Sequence, residues 1–140
     1  MAVITTQALT GPAVWHGADV ANDDSWLHRW SAESLAALDA ALAVLKARGR
    51  RFPDFDKADF PLDTLSRDLT RWADALENGR GFLLLRGLPA ARYTEEELRC
   101  LYYGIGLHLG VPVCQNPRGD LLGEVMNVGD LNDKNTRVYE

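Results

Sequence analysis

Three histidines are the first residues to weigh, because imidazole is the side chain best suited to bind a metal or move a proton near neutral pH. A mononuclear iron site of the two-histidine, one-carboxylate kind needs His-x-Asp or His-x-Glu on one strand face, plus a distant second histidine. His16 is followed by Gly17-Ala18, His28 by Arg29-Trp30 and His108 by Leu109-Gly110, so this sequence holds no such triplet. His108 falls near the end of a predicted helix, where a partly protonated ring is favoured by the helix dipole, and a structural role is expected of it. His16 and His28 stand close to tryptophans, where packing or exposure is the default reading. Cys100 and Cys114 match no zinc spacing and cannot form a disulfide framework. Cys100 is read as a small buried hydrophobe in a helix, with no neighbour that would activate its thiol.

Other catalytic patterns are missing as well. There is no Gly-x-Ser-x-Gly elbow. Gly104-Ile105-Gly106 has the first half of a dinucleotide fingerprint, but it lies inside a predicted helix and Leu109 stands where the third glycine belongs. Asp23-Asp24 reads as a turn, and Glu95-Glu96-Glu97 as a helix first turn, where negative charge is stabilising. No catalytic residue and no metal ligand is therefore assigned to any position of this sequence.

The elements that would position a site are clearer. Residues 1–30 read as an irregular but ordered arm, since Trp15, Trp26 and Trp30 give it apolar surface to pack onto the domain. Residues 31–80 read as two helices. In the first, over 31–48, Leu35, Leu38, Leu42 and Leu45 recur at helical spacing, Ser31 caps the start and Gly49 the end. A proline-containing connector over 50–61 should be pinned to the core by Phe52, Phe55 and Phe60. The second helix, over 63–77, turns Leu65, Leu69, Trp72 and Leu76 inward and stops at Asn78-Gly79.

Residues 81–140 read as strand, helix, strand. Gly81 to Arg86 sets large apolar residues between glycines, the pattern of a short strand buried on both faces. Thr94 and Glu97 form a capping box for a helix whose inner face carries Leu98, Leu101, Tyr102, Ile105 and Leu109. Gly104 and Gly106 each cost about 1 kcal/mol relative to alanine within that helix, and close packing is the expected compensation. Gly110 and Pro112 end it, Gly119-Asp120 marks a turn, and a strand is predicted over 121–128. The fold class is α+β.

The bulk composition sets limits on function. The 140 residues suit one domain with a single core. With 20 acidic against 15 basic residues and a net charge of -5, nothing favours nucleic acid or anionic lipid as a partner. The basic cluster Lys46, Arg48, Arg50 and Arg51 is read as a solvated helix end. No apolar run approaches the roughly 20 residues of a membrane helix, and no signal peptide is visible. A reducing cytoplasm is the expected location.

The order of segments carries one further signal. Gly-Phe-Leu-Leu-Leu-Arg-Gly-Leu-Pro from Gly81 to Pro89 comes first, then Tyr93-Thr94-Glu95-Glu96-Glu97-Leu98, then Leu109-Gly110-Val111-Pro112-Val113-Cys114-Gln115, then Gly119-Asp120-Leu121-Leu122-Gly123-Glu124-Val125. This succession resembles the N-terminal half of the TauD/TfdA-like dioxygenases, enzymes of the taurine-dioxygenase type that depend on iron(II) and 2-oxoglutarate. The resemblance covers roughly residues 63–140. It implies an incomplete double-stranded β-helix, or jelly roll, made of its flanking helices and first strands, so that 1–140 is a single partial domain. It also implies that the metal-binding His-x-Asp, the second metal histidine and the arginine that grips 2-oxoglutarate follow residue 140. The chain is then expected to be inactive alone, with iron(II) and 2-oxoglutarate as cofactors only of the intact fold and a small organic substrate as its target.

Gln115 and Asn127 occupy places comparable to substrate-pocket positions in that family, where an amide can hydrogen-bond a polar substrate. An amide that satisfies loop backbone is the alternative for each. Arg86 is expected to be a structural ion-pair partner. A rival reading of the whole chain is a non-catalytic α+β interaction module, or half of a split enzyme that associates with itself or with a separate C-terminal half. The two differ in exposed apolar surface, because a divided jelly roll leaves strand edges and apolar faces uncovered.

Overall fold

The computed structural model describes residues 6–123. Their secondary structure is mixed, with α1 (Gly17–Ala21), β1 (Leu27–Arg29), α2 (Ala32–Ala47), α3 (Ser66–Glu77), β2 (Leu84–Arg86) and α4 (Glu95–Leu109). β1 and β2 form a two-stranded parallel sheet in the register Leu27↔Leu84, His28↔Leu85 and Arg29↔Arg86. The helices α2 and α3 lie between the two strands in sequence, which gives the long crossover that parallel pairing requires.

The longest helices start and stop where their sequence dictates. Ser31 caps α2 by accepting from the Ser34 N–H, and the end is a Schellman arrangement around Gly49 at φ 66. There the Gly49 N–H donates to the Lys46 carbonyl and the Arg50 N–H to the Leu45 carbonyl. In α4 the Thr94 hydroxyl accepts from the Glu97 N–H, while the Glu97 carboxylate accepts from the Thr94 N–H at 2.8 Å. α3 is entered through a 3₁₀ turn over Asp63–Leu65 rather than directly at Asp63.

One core joins these pieces. α2 contributes Leu38, Ala41, Leu42 and Leu45, and α3 contributes Leu69 and Trp72. The connector contributes Phe55, Phe60, Leu62 and Leu65, and α4 contributes Cys100 and Leu101. Phe60 is fully buried and lies against Gly104, where an added Cβ would come within 2.5 Å of its ring. Gly104 thus has the close packing expected of it. Ion pairs fasten the same junction from outside, with Lys46 on Glu97 and both Arg48 and Arg50 on Asp59, so three of the four basic residues at the end of α2 are engaged within the fold rather than simply solvated.

The arm packs through its indoles. Trp30 meets Trp72 edge-on with centroids 5.4 Å apart, Trp15 and Trp26 both lie against Phe82, and the Trp15 indole donates to the Arg80 carbonyl at 3.1 Å. Arg80 also pairs with Asp23. The arm is less irregular than its sequence indicates, because Leu27–Arg29 is strand β1. Three residues are too few to show a strand's alternation, and the pairing depends on a segment distant in sequence.

Several expectations are corrected. The strand predicted over Gly81 to Arg86 is only Leu84–Arg86, and it is not buried on both faces: Leu84 is exposed and Leu85 partly buried. Only β1 pairs with it among the described residues. Leu76 is exposed near the end of α3, beyond the reach of the core. Tyr102 is 73% exposed instead of inward-facing, because the buried line of α4 runs through Cys100, Leu101 and Gly104. Gly106 has no atom within 4 Å of a Cβ placed on it, so close packing does not account for it. Arg86 is exposed and makes no ion pair among the described residues. Of the strand predicted over 121–128, Leu121, Leu122 and Gly123 are not strand, and 124–128 lie outside the described residues.

Candidate functional site

Packing α4 onto the core by its Cys100–Leu101–Gly104 line leaves its other apolar side facing β2. Leu98, Ile105 and Leu109 from the helix, with Leu83 and Leu85 from the strand segment, wall a groove of about 550 Å³. Trp30, Leu88, Leu101, Tyr102 and Gly106 complete its lining. No charged side chain lines it. Its composition allows it to hold apolar surface, and it offers neither an acid nor a base.

A second, smaller hollow of about 240 Å³ shares Tyr102 and Gly106 with the groove. Its far wall is the loop after α4, including Val111, Val113, Gln115 and Leu122. Gln115 is exposed, its side-chain NH₂ donates to the Val113 carbonyl at 2.9 Å, and its backbone N–H donates to the Asp120 carbonyl at 2.7 Å. The Asp120 carboxylate accepts from Asn116 and Arg118 and closes the turn, and these bonds, Asn116 first, hold its carboxyl below the ordinary carboxylate range. Gln115 therefore borders the hollow while its NH₂ is used by the loop. Asn127 lies outside the described residues, so its relation to Gln115 is not part of the described geometry.

The three histidines are far from sharing a centre. His16 opens α1, where its backbone N–H donates to Asp19. His28, in β1, lies near the Trp72 ring at 6.2 Å, and burial first, then the Arg71 charge, pushes its pKa down, while Asp68 opposes the shift. The His108 Nε2 lies 2.7 Å from the Phe60 carbonyl. A carbonyl only accepts, so Nε2 carries the proton and the imidazole clamps the connector to α4. His108 also borders a hollow of about 390 Å³ that has the polar residues Lys57, Asp63, Ser66 and Thr70 beside Leu62 and Leu69. The Thr70 hydroxyl is already committed to the Ser66 carbonyl at 2.9 Å.

Cys100 is buried, and burial raises its pKa, which suits an inert thiol in the core. No three His, Cys, Asp or Glu side chains converge among the described residues. The described residues do not supply the two-histidine, one-carboxylate set of an iron centre. No helix among the described residues is long and apolar enough to cross a membrane. Sequence reasoning missed the groove. Its only sign in the sequence was that apolar residues run nearly all round α4, more than one packed face requires.

No protein-family model matches the chain. Over its whole length it is similar to FR-33289 synthase of Streptomyces rubellomurinus (strain ATCC 31215), with 30% identity over 142 residues. Those residues make up 42% of the synthase, so the chain spans less than half the length of the relative it matches.

Proposed function

We propose that this chain is the scaffold-forming N-terminal portion of an oxidoreductase of the iron(II)- and 2-oxoglutarate-dependent class, acting as a single partial domain in the cytoplasm. The match of the entire chain to a minority of a much longer synthase carries the reading. The order of the strand, helix, Gly-Val-Pro turn and Gly-Asp segments supports it. In this reading the described helices form one flank of a jelly roll, Gln115 and Asn127 border the pocket of a small organic substrate, and the metal ligands and the 2-oxoglutarate clamp come from sequence beyond residue 140.

The test compares two lengths of protein. The 140 residues alone should neither retain ferrous ion through dialysis nor consume 2-oxoglutarate. A longer product that continues into His-x-Asp should do both, and should lose both when that histidine is replaced. Stoichiometric ferrous binding with 2-oxoglutarate turnover by the 140 residues would overturn the assignment. A second reading, a non-catalytic interaction module, is favoured by the uncharged groove beside α4. It requires a cooperative, monomeric chain whose gene contains no such continuation.

A further inference from the structure

We propose that the groove between α4 and β2 is a docking site for an added β-strand, supplied by the part of the longer protein that has no counterpart in this chain. The inference rests on the reading above for the source of the strand. The case for a strand is independent of it and comes from three features of the groove.

The first feature is an open sheet edge. The Leu84 N–H donates to the Trp26 carbonyl at 2.9 Å, and the Arg86 carbonyl accepts from the Trp30 N–H at 3.0 Å. In a parallel pair these alternate residues turn their backbone groups to β1, so the N–H and C=O of Leu85 between them point to the opposite edge. No third strand meets that edge among the described residues. Backbone groups next to apolar surface need partners, and an extended chain supplies both a donor and an acceptor at the right spacing.

The second feature is the apolar wall directly beside this edge. Leu83 and Leu85, two residues apart in the extended segment, line the groove together with Ile105 and Leu109 of α4. A strand paired to Leu85 would place every second side chain over that wall. A helix or a small apolar molecule could cover the wall, but would leave the Leu85 N–H and C=O unpaired. The third feature is Gly106. It lowers the helix propensity of α4, yet the space over it is empty, which leaves room for an incoming side chain in the groove lining. More than half of FR-33289 synthase lies outside the region matched here, so a corresponding length of chain is the candidate donor.

The test uses the purified 140-residue chain and synthetic peptides of about ten residues, near the upper length of a strand, tiled across the unmatched part of FR-33289 synthase. Before any peptide is added, the chain should bind an environment-sensitive hydrophobic dye. A peptide with alternating apolar residues should displace the dye and slow hydrogen exchange at the Leu85 amide. Gly106→Leu, which fills that part of the groove without touching the core, should weaken that peptide by about tenfold or more, as loss of an anchor pocket does. Leu85→Pro removes the outward donor and should abolish binding.

Three results would overturn the proposal: no peptide binds; the untreated chain excludes the dye because its own residues or a second copy fill the groove; or Gly106→Leu binds peptide as tightly as the wild type. The outcome is separable from that of the functional reading. Peptide binding without 2-oxoglutarate turnover by a longer product would leave the docking site and remove the oxygenase, and the converse pair of results would do the opposite.

Discussion

Two sides of the same helix behave in opposite ways. On one side of α4, Cys100, Leu101 and Gly104 are pressed against Phe60 and the core so closely that a single added methyl would collide with a ring. On the other, Tyr102 and Gly106 stand over a groove with room to spare. The two glycines are two residues apart within the same helix, so the contrast isolates surroundings from propensity. It shows that a helix can be finished on one side and open on the other, with the sequence looking apolar on both.

Substitutions on the two sides should separate in size and in sign. Phe60→Ala empties the closed side and should cost about 3–5 kcal/mol in a urea or guanidinium titration, the range for a truncated core phenylalanine. Gly104→Ala overpacks the same place and should destabilise by about 1–3 kcal/mol, reduced by the gain in helix propensity. Gly106→Ala should instead stabilise by up to about 1 kcal/mol, because only propensity changes there. Equal effects at the two glycines would break the comparison. If a strand covers the groove in a longer protein, Gly106→Ala should lose its benefit in that protein, which would sharpen it.

Smaller effects come from the ends of α4. Thr94→Ala removes the capping hydroxyl and should cost about 1 kcal/mol. Glu97 is held below the ordinary carboxylate range by its hydrogen bond from Lys46 first and by the Thr94 N–H next. Asp59 is held low by Arg48 and then by the Asp56 N–H. Depressed carboxyls contribute stability that is present above the ordinary carboxylate range and lost as the pH falls through their lowered values. Lys46→Met should therefore move the Glu97 titration upward, as read by carboxyl chemical shifts against pH, with little change in stability near neutral pH because the pair is solvent-accessible.

How much of this was legible in the sequence differed from element to element. Ser31, Gly49, Thr94 and Glu97 announced their helix ends because capping is local chemistry that a few adjacent residues decide. The burial of Phe55 and Phe60 followed from aromatic residues in a connector with nowhere else to go. Strand β1 was hidden, since Leu27-His28-Arg29 becomes a strand only by meeting Leu84-Leu85-Arg86. The exposure of Tyr102 was hidden for a different reason: with Leu98, Leu101, Tyr102, Ile105 and Leu109 all apolar or aromatic, periodicity could not say which side the core would take. At the candidate site, the segment order singles out Gln115, but its bond to the Val113 carbonyl depends on the turn that Asp120 closes.

The parallel sheet has a bearing on how the chain is assembled. β1 emerges early in synthesis and must wait for both intervening helices before β2 exists to receive it. Closing so long a loop carries an entropic cost that is recovered only once α2 and α3 have settled. The tryptophan arm would then be the last part to lock down and the first to peel away, so limited proteolysis should cut before Leu27 while the helical body remains intact.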